Sequence, residues 1–119
     1  MAILIVDDEA DLRDLISMVI TSRLRVKTLT AGSVAEAIRL IETTDDIQGV
    51  LCDYNLKPGT GADIFRYLRD HHRPIPFVLC SGDALENHKD FAEMQVAGFL
   101  AKPFLAKEIV SIVQSSFKI

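Results

Sequence analysis

The sequence predicts an α/β fold in which a five-stranded parallel sheet is flanked by five helices. Short runs of apolar residues, most of which stop at a polar residue, are typical of strands that are covered on both faces. Longer segments between these runs carry apolar residues at helical spacing. Because the two kinds of segment alternate along the chain, a parallel sheet with helices on both faces is expected.

Five segments are predicted to be strands. Four are apolar throughout, and they cover residues 3–6, 50–52, 77–80 and 98–101. The remaining segment, 25–30, alternates between polar and apolar residues. Alternation indicates a strand with one exposed face, so this segment is expected at an edge of the sheet.

Five segments are predicted to be helices. The first has one apolar stripe, formed by Leu12, Leu15, Ile16, Val19, Ile20 and Leu24. The second begins at Ser33, which has capping-box spacing to Glu36. The third follows a turn at residues 58–61, the fourth is expected within 84–96, where periodicity is weakest, and the last carries a stripe around Ile109 and Val113.

Composition limits the classes of function. The 119 residues fit one domain, 1–119, with a net charge of −4 and a pI of about 5.3. A mildly acidic chain without a basic stripe is a poor nucleic-acid binder, and no apolar run is long enough to span a membrane. Cys52 and Cys80 lie in apolar runs and are expected to be free thiols, with a disulfide as the minor alternative. With no leader at Met1, these features favour a cytoplasmic protein.

Polar residues follow four of the predicted strands. Asp7 and Asp8 follow the first, Asp53 the third, Ser81 the fourth and Lys102 the fifth. In open α/β sheets, ligands bind outside the carboxyl ends of the strands. We therefore expect these five side chains to meet at one rim of the sheet.

The chemistry of this set favours phosphoryl transfer. Three carboxylates in one site repel each other, and Mg²⁺, which prefers oxygen ligands, would relieve that repulsion. Lys102 and Ser81 can both donate hydrogen bonds to a phosphoryl group. The set suits a carboxylate nucleophile that forms an acyl phosphate.

Four motifs together resemble the receiver domain of response regulators, over nearly the full length of the chain. They are Ile-Leu-Ile-Val-Asp-Asp-Glu at 3–9, Cys-Asp-Tyr-Asn-Leu at 52–56, Leu-Cys-Ser-Gly at 79–82 and Gly-Phe-Leu-Ala-Lys-Pro-Phe at 98–104. The resemblance implies the flavodoxin-like fold, with strand order 2-1-3-4-5.

The resemblance also implies a role for each site residue. Asp53 would be the phosphoacceptor. Asp8, Asp53 and the backbone carbonyl of Asn55 would bind Mg²⁺ directly, and Asp7 would act through a water molecule. Lys102 would pair first with Asp53 and later with the phosphoryl group.

Further roles follow from the same resemblance. Ser81 would be the switch hydroxyl and Phe99 the switch aromatic, acting on the face formed by the fourth helix, the fifth strand and the last helix. Lys102–Pro103 would be a cis peptide. Asn55 and Asp83 would flank the path of the hydrolytic water and favour fairly fast self-dephosphorylation.

Two positions depart from the common family pattern. The family often has Pro four residues after the phosphoacceptor, where this chain has Lys57 followed by Pro58. The conformation of the loop after Asp53 is therefore left open. Phe99 stands where Tyr is common, so a switch here could signal only through its rotamer and packing.

The expected function is phosphorelay signalling. A histidine kinase or phosphotransfer protein would phosphorylate Asp53, and the domain would catalyse at most its own phosphorylation and dephosphorylation. A degenerate receiver used only for docking and an aspartyl-phosphate phosphatase remain alternatives, although Asn55 leaves the latter without a second acid. Dimerisation through the switch face is left open. His71, His72 and His88 have no metal-ligand spacing.

Overall fold

Five parallel strands form one sheet in the computed structural model, which describes residues 1–82 and 94–119. The strands are β1 (Ala2–Val6), β2 (Lys27–Ala31), β3 (Ile47–Asp53), β4 (Phe77–Ser81) and β5 (Gly98–Ala101). Their order is β2-β1-β3-β4-β5, which confirms the predicted fold and the edge position of the alternating strand. The order reverses between β1 and β3, and such a reversal opens a crevice at the carboxyl ends of the strands.

The described part of the chain contains four helices. They are α1 (Ala10–Leu24), α2 (Val34–Thr43), α3 (Gly61–Asp70) and α4 (Ala106–Phe117). Of the predicted helix within 84–96, residues 84–93 lie outside the described residues, and residues 94–96 are not helical. None of the described helices is both long and apolar enough to cross a membrane.

The two faces of the sheet have separate cores. Successive residues of a strand point to opposite faces, so Leu4 of β1 packs on the side of α2 and α3, whereas Ile5 packs on the side of α1 and α4. The same alternation places Cys52 in the first core and Cys80 in the second. Both thiols are free, and burial raises the pKa of Cys52 well above its ordinary value and that of Cys80 to about 12. The cysteines are therefore packing residues, and the minor disulfide alternative is wrong.

The structure differs from the prediction in the exposure of one residue of α1 and in the start of β2. Ile16, Val19 and Ile20 of α1 are buried, but Leu15 is 47% exposed, because it lies at the margin of the apolar stripe. The strand β2 begins at Lys27 rather than at residue 25. Arg25 has φ of 56° and ends α1 in the left-handed conformation, which interrupts the extended backbone.

Candidate functional site

The polar strand ends meet at one rim of the sheet. In the register of the strands, Asp53 lies beside Cys80, and Ser81 lies beside Ala101. The chain leaves β1 at Asp7 and β5 at Lys102. Although they are 95 positions apart in sequence, Lys102 and Asp7 are in contact, because their strands end at the same edge.

Three carboxylates form a cluster on this rim. Asp7 and Asp53 are buried, Asp8 is exposed, and one oxygen from each lies within 4.8 Å of the others. Hard divalent cations such as Mg²⁺ take carboxylate oxygens and keep several waters, which an exposed carboxylate such as that of Asp8 permits. The donor set therefore fits Mg²⁺ in chemistry and spacing.

Backbone amides orient the two buried carboxylates. The Glu9 N–H donates to Asp7 Oδ1 at 2.9 Å, and the Asn55 N–H donates to Asp53 Oδ1 at 3.3 Å. In each case the donor lies two residues after the aspartate, in the loop that follows the strand. The loops thus hold the carboxylates directed along the rim.

Lys102 links the two buried acids. Its Nζ lies 3.1 Å from Asp53 Oδ2 and 3.3 Å from Asp7 Oδ2. Burial raises the pKa of Asp53, and this effect outweighs the hydrogen bond and positive charge of Lys102, which lower it. Burial alone would lower the pKa of Lys102, but the hydrogen bond and charge of Asp53, together with Asp7, raise it. Lys102 is thus held in its charged form beside a carboxylate that is costly to ionise.

Ser81 and Phe99 lie beside the cluster on the last two strands. Ser81 is buried, and its carbonyl accepts a hydrogen bond from the Lys102 N–H at 2.9 Å. Phe99 is half-buried, pairs in register with Leu79, and packs on the core of the α2 and α3 side. It therefore lies next to the rim without joining the acidic cluster. Asp83 lies outside the described residues.

The loop after Asp53 turns sharply beneath the site. The Gly61 N–H donates to the Tyr54 carbonyl at 2.8 Å, and a Cβ at Gly61 would lie 2.9 Å from the Asp53 carbonyl oxygen. Only glycine permits this close approach of the first turn of α3 to the end of β3. Lys57–Pro58 is a cis peptide, which sequence reasoning did not predict, and Lys102–Pro103 is also cis.

Sequence reasoning missed two residues that hold the rim together. Gly61 could have been found, because Thr60 and Asp63 beside it have capping-box spacing, and the structure contains that capping box. Arg13 gave no such signal, since it follows the acidic motif inside a predicted helix. Its Nη1 donates to the Asp7 carbonyl at 2.7 Å.

Comparison with known proteins identifies a family. The sequence model of the response regulator receiver domain family matches residues 3–114 of this chain. The response regulator protein PilR of Pseudomonas aeruginosa is 26% identical over 117 residues, which are 98% of this chain and 26% of that protein. The response regulator SaeR of Staphylococcus epidermidis is 29% identical over 110 residues, covering 91% of this chain and 46% of that protein. The chain thus spans between a quarter and a half of these relatives.

Solved structures have the same fold. A response regulator receiver protein from Pseudomonas putida has a TM-score of 0.85 at 26% identity, covering 95% of this chain and 94% of that one. The Vibrio cholerae chemotaxis protein CheY4 has a TM-score of 0.88 at 19% identity, covering 97% of each chain. At that lower identity the likeness concerns the fold alone.

Proposed function

The chain belongs to the response regulator receiver domain family, and we propose that Asp53 is its phosphoacceptor in a Mg²⁺-dependent reaction. The observation that carries this proposal is the contact of buried Asp53 with Lys102, within a cluster of three carboxylates. A nucleophile, a cationic stabiliser and a set of metal ligands are the parts that phosphoryl transfer to a carboxylate needs.

Asp53 suits the acceptor role better than Asp7 or Asp8 because of its position in the sheet. It ends β3, which has β1 on one side and β4 on the other. The acids after β1 therefore flank it on one side, and Ser81 at the end of β4 flanks it on the other. A phosphoryl group on Asp53 would thus have metal ligands on one side and a hydroxyl donor on the other.

Each residue has a part in the proposed reaction. Asp8, Asp53 and the Asn55 carbonyl would hold Mg²⁺ directly, with Asp7 acting through water, and the ion would supply positive charge to the phosphoryl oxygens. An Asp53 oxygen attacks the phosphorus of a phosphohistidine. The phosphorus–nitrogen bond breaks, and the imidazole leaves with the electron pair and takes up a proton. Lys102 and Ser81 then donate hydrogen bonds to the phosphoryl oxygens.

Ser81 and Phe99 would carry the signal away from the site. Movement of the Ser81 hydroxyl toward the phosphoryl group would leave space for the Phe99 ring, which is half-buried on the neighbouring strand β5. This rearrangement would shift the population of the surface around β5 and α4. Dimerisation through this surface is one way in which the shift could be read.

The proposal includes a short phosphoryl lifetime. Asn55 is exposed beside Asp53, where a small amide leaves room for a hydrolytic water. Asp83, the second residue expected to act here, lies outside the described residues. A phosphoryl group that persists for many hours would contradict this part of the proposal.

The proposed partners are a histidine kinase or phosphotransfer protein as phosphoryl donor and a downstream effector. The net charge of −4 gives no reason to expect direct binding of nucleic acid by this domain. We propose that the domain is cytoplasmic and acts on itself rather than turning over an external substrate.

Phosphoryl uptake from acetyl phosphate with Mg²⁺ tests the proposal. Asp53→Asn keeps the size of the side chain but removes the nucleophile, so the rate of acid-labile phosphate uptake should fall by about 10³-fold or more. Asp45→Asn makes the same change in charge at an exposed position and should leave the rate unchanged. Uptake by Asp53→Asn at the wild-type rate would refute the assignment.

Two further measurements separate the alternatives. A beryllofluoride titration with Mg²⁺, followed by amide NMR shifts, should perturb the rim residues, whereas a docking module with a degenerate site would not respond. Turnover of p-nitrophenyl phosphate by the wild-type chain would instead favour a phosphatase.

A further inference from the structure

We infer that Arg13 is a positioning residue for the acidic cluster, acting through the backbone of Asp7. The inference rests on the proposed function, because it concerns how well the cluster is arranged for Mg²⁺. Arg13 does not contact the carboxylate of Asp7. It contacts the backbone carbonyl of Asp7, which belongs to the peptide group between Asp7 and Asp8.

Arg13 reaches back from the helix to the strand end. Its N–H donates to the Glu9 carbonyl at 3.0 Å, which places it at the start of α1. Its Nη1 donates to the Asp7 carbonyl at 2.7 Å, from a half-buried side chain. A hydrogen bond from a charged donor at this distance is among the stronger kinds in proteins. The contact ties the loop between β1 and α1, which contains Asp8, to the helix that follows.

This contact completes the set of partners of Asp7. The Asp7 N–H donates to the Ala31 carbonyl at 3.1 Å, and its carbonyl accepts from Arg13. One carboxylate oxygen accepts from the Glu9 N–H and the other from Lys102. Every polar atom of Asp7 is therefore held, and loss of Arg13 would free the peptide group between the two adjacent acids.

Gly32 provides the space that the guanidinium occupies. A Cβ at Gly32 would lie 2.8 Å from Arg13 Nη1 and 3.7 Å from its Cζ. Gly32 directly follows Ala31, the residue that accepts the Asp7 N–H. The Arg13 side chain thus lies across the ends of β1 and β2, and any larger residue at position 32 would have to displace it.

Arg13 has two opposing effects on a bound cation. Its positive charge near the acids opposes Mg²⁺ binding, whereas its hydrogen bond to Asp7 keeps the ligands in place. Partners of metal ligands that fix ligand orientation typically contribute about 10- to 100-fold to metal affinity. We expect the positioning effect to be the larger, so removal of Arg13 should weaken Mg²⁺ binding in spite of the lost repulsion.

Calorimetric titration with Mg²⁺ tests whether loss of Arg13 weakens Mg²⁺ binding. Arg13→Ala should raise the Mg²⁺ Kd about tenfold. Arg13→Lys keeps the charge and a donor without the planar fork, so it should restore most of the affinity, to within about threefold of wild type. Arg23→Ala, at an exposed position in the last turn of the same helix, makes the same change in charge and should leave the Kd unchanged.

Gly32→Ala gives a second test that leaves Arg13 in the chain. It should displace the guanidinium and raise the Mg²⁺ Kd about threefold. In the Arg13→Ala background the same change should have no further effect, since it acts through Arg13. An equal effect in both backgrounds would overturn the assignment of Gly32.

The outcomes separate this inference from the proposed function. Wild-type protein that fails to bind Mg²⁺ would refute the proposed function. If wild type binds Mg²⁺ but the Kd of Arg13→Ala is equal to or lower than the wild-type Kd, the positioning role alone would be overturned. Circular dichroism establishes whether Arg13→Ala folds. If it does not, Gly32→Ala carries the test, and a wild-type Kd for that variant would overturn the inference.

Discussion

The two ends of the parallel strands are built on opposite principles. At the carboxyl ends, the rim crowds three carboxylates and a lysine, and burial raises the pKa of Asp53. At the amino ends, helix α4 packs closely on the sheet over glycines. A Cβ at Gly49 would lie only 2.5 Å from the Phe117 ring, and a Cβ at Gly98 would lie only 2.5 Å from Ser116 Oγ.

This contrast indicates how stability and chemistry are divided within the fold. The amino ends contribute close packing, which stabilises the chain. The carboxyl ends hold charges that cost stability without a metal or phosphoryl group bound. Substitutions at the two ends should therefore have opposite effects on folding and on binding.

Of the effects that compare the two ends, the largest is expected at Asp8, the exposed acid of the rim that is proposed to bind Mg²⁺. Asp8→Asn removes the charge of a carboxylate that is proposed to bind Mg²⁺, so the Mg²⁺ Kd measured by calorimetry should rise about a hundredfold. Asp14→Asn, at an exposed position on α1, makes the same change in charge and should alter the Kd by less than about twofold. Equal Kd values for wild type and Asp8→Asn would show that Asp8 is not a ligand.

A smaller effect, on stability and not on Mg²⁺ binding, is expected at the amino ends of the strands. Gly49→Ala places a methyl group against the Phe117 ring, so the free energy of unfolding in urea should fall by about 2 kcal/mol while the Mg²⁺ Kd stays the same. Gly82→Ala is the matched control, because within the described residues its Cβ would meet nothing nearer than the Lys102 Cβ at 4.0 Å, and it should change stability by less than about 0.5 kcal/mol. Similar losses for both variants would mean that close packing at Gly49 is not the cause.

The smallest effect concerns stability at the rim. Asp53→Asn without Mg²⁺ should raise the free energy of unfolding by about 1 kcal/mol at neutral pH, since it removes a buried charge while its amide oxygen can still accept from Lys102. Because folding raises the pKa of Asp53, the folded state binds a proton more readily than the unfolded chain. The cost of the charge is therefore absent at pH values below the unfolded pKa and complete above the folded pKa.

Urea unfolding of wild type and Asp53→Asn, from below the unfolded pKa of Asp53 to above its folded pKa, checks whether the charge on Asp53 destabilises the fold. The advantage of Asp53→Asn over wild type should grow as the pH rises through the folded pKa of Asp53. An advantage that shrinks with rising pH would mean that ionised Asp53 stabilises the fold, and the contrast between the two ends would then be wrong.

Much of the fold and of the rim could be predicted from the local pattern of residues. Apolar runs that end at Asp7, Asp53 and Ser81 specify strands and place polar groups at the same end of each, since all the strands are parallel. The four motifs carry the same information, and their resemblance to the receiver domain implies the strand order. Short-range capping signals were also readable, as at Ser33, which accepts the Glu36 N–H at 3.2 Å.

Contacts between distant or irregular segments could not be read in this way. Leu15 looked like a core residue because its spacing fits a helical stripe, but the width of the buried stripe depends on how α1 packs on β1 and α4. The cis peptide at Lys57–Pro58 and the close approach of Gly61 to Asp53 depend on the path of one loop across the sheet.

The sequence alone therefore determined which residues stand at the carboxyl ends of the strands and the chemistry they can perform. Only the tertiary structure decided how those residues are held. Arg13 binds a carbonyl six positions away, beside a glycine from another strand end, and Lys102 bridges two acids from different strands. Periodicity records which way a side chain faces within its own element, whereas these contacts depend on how separate elements come together.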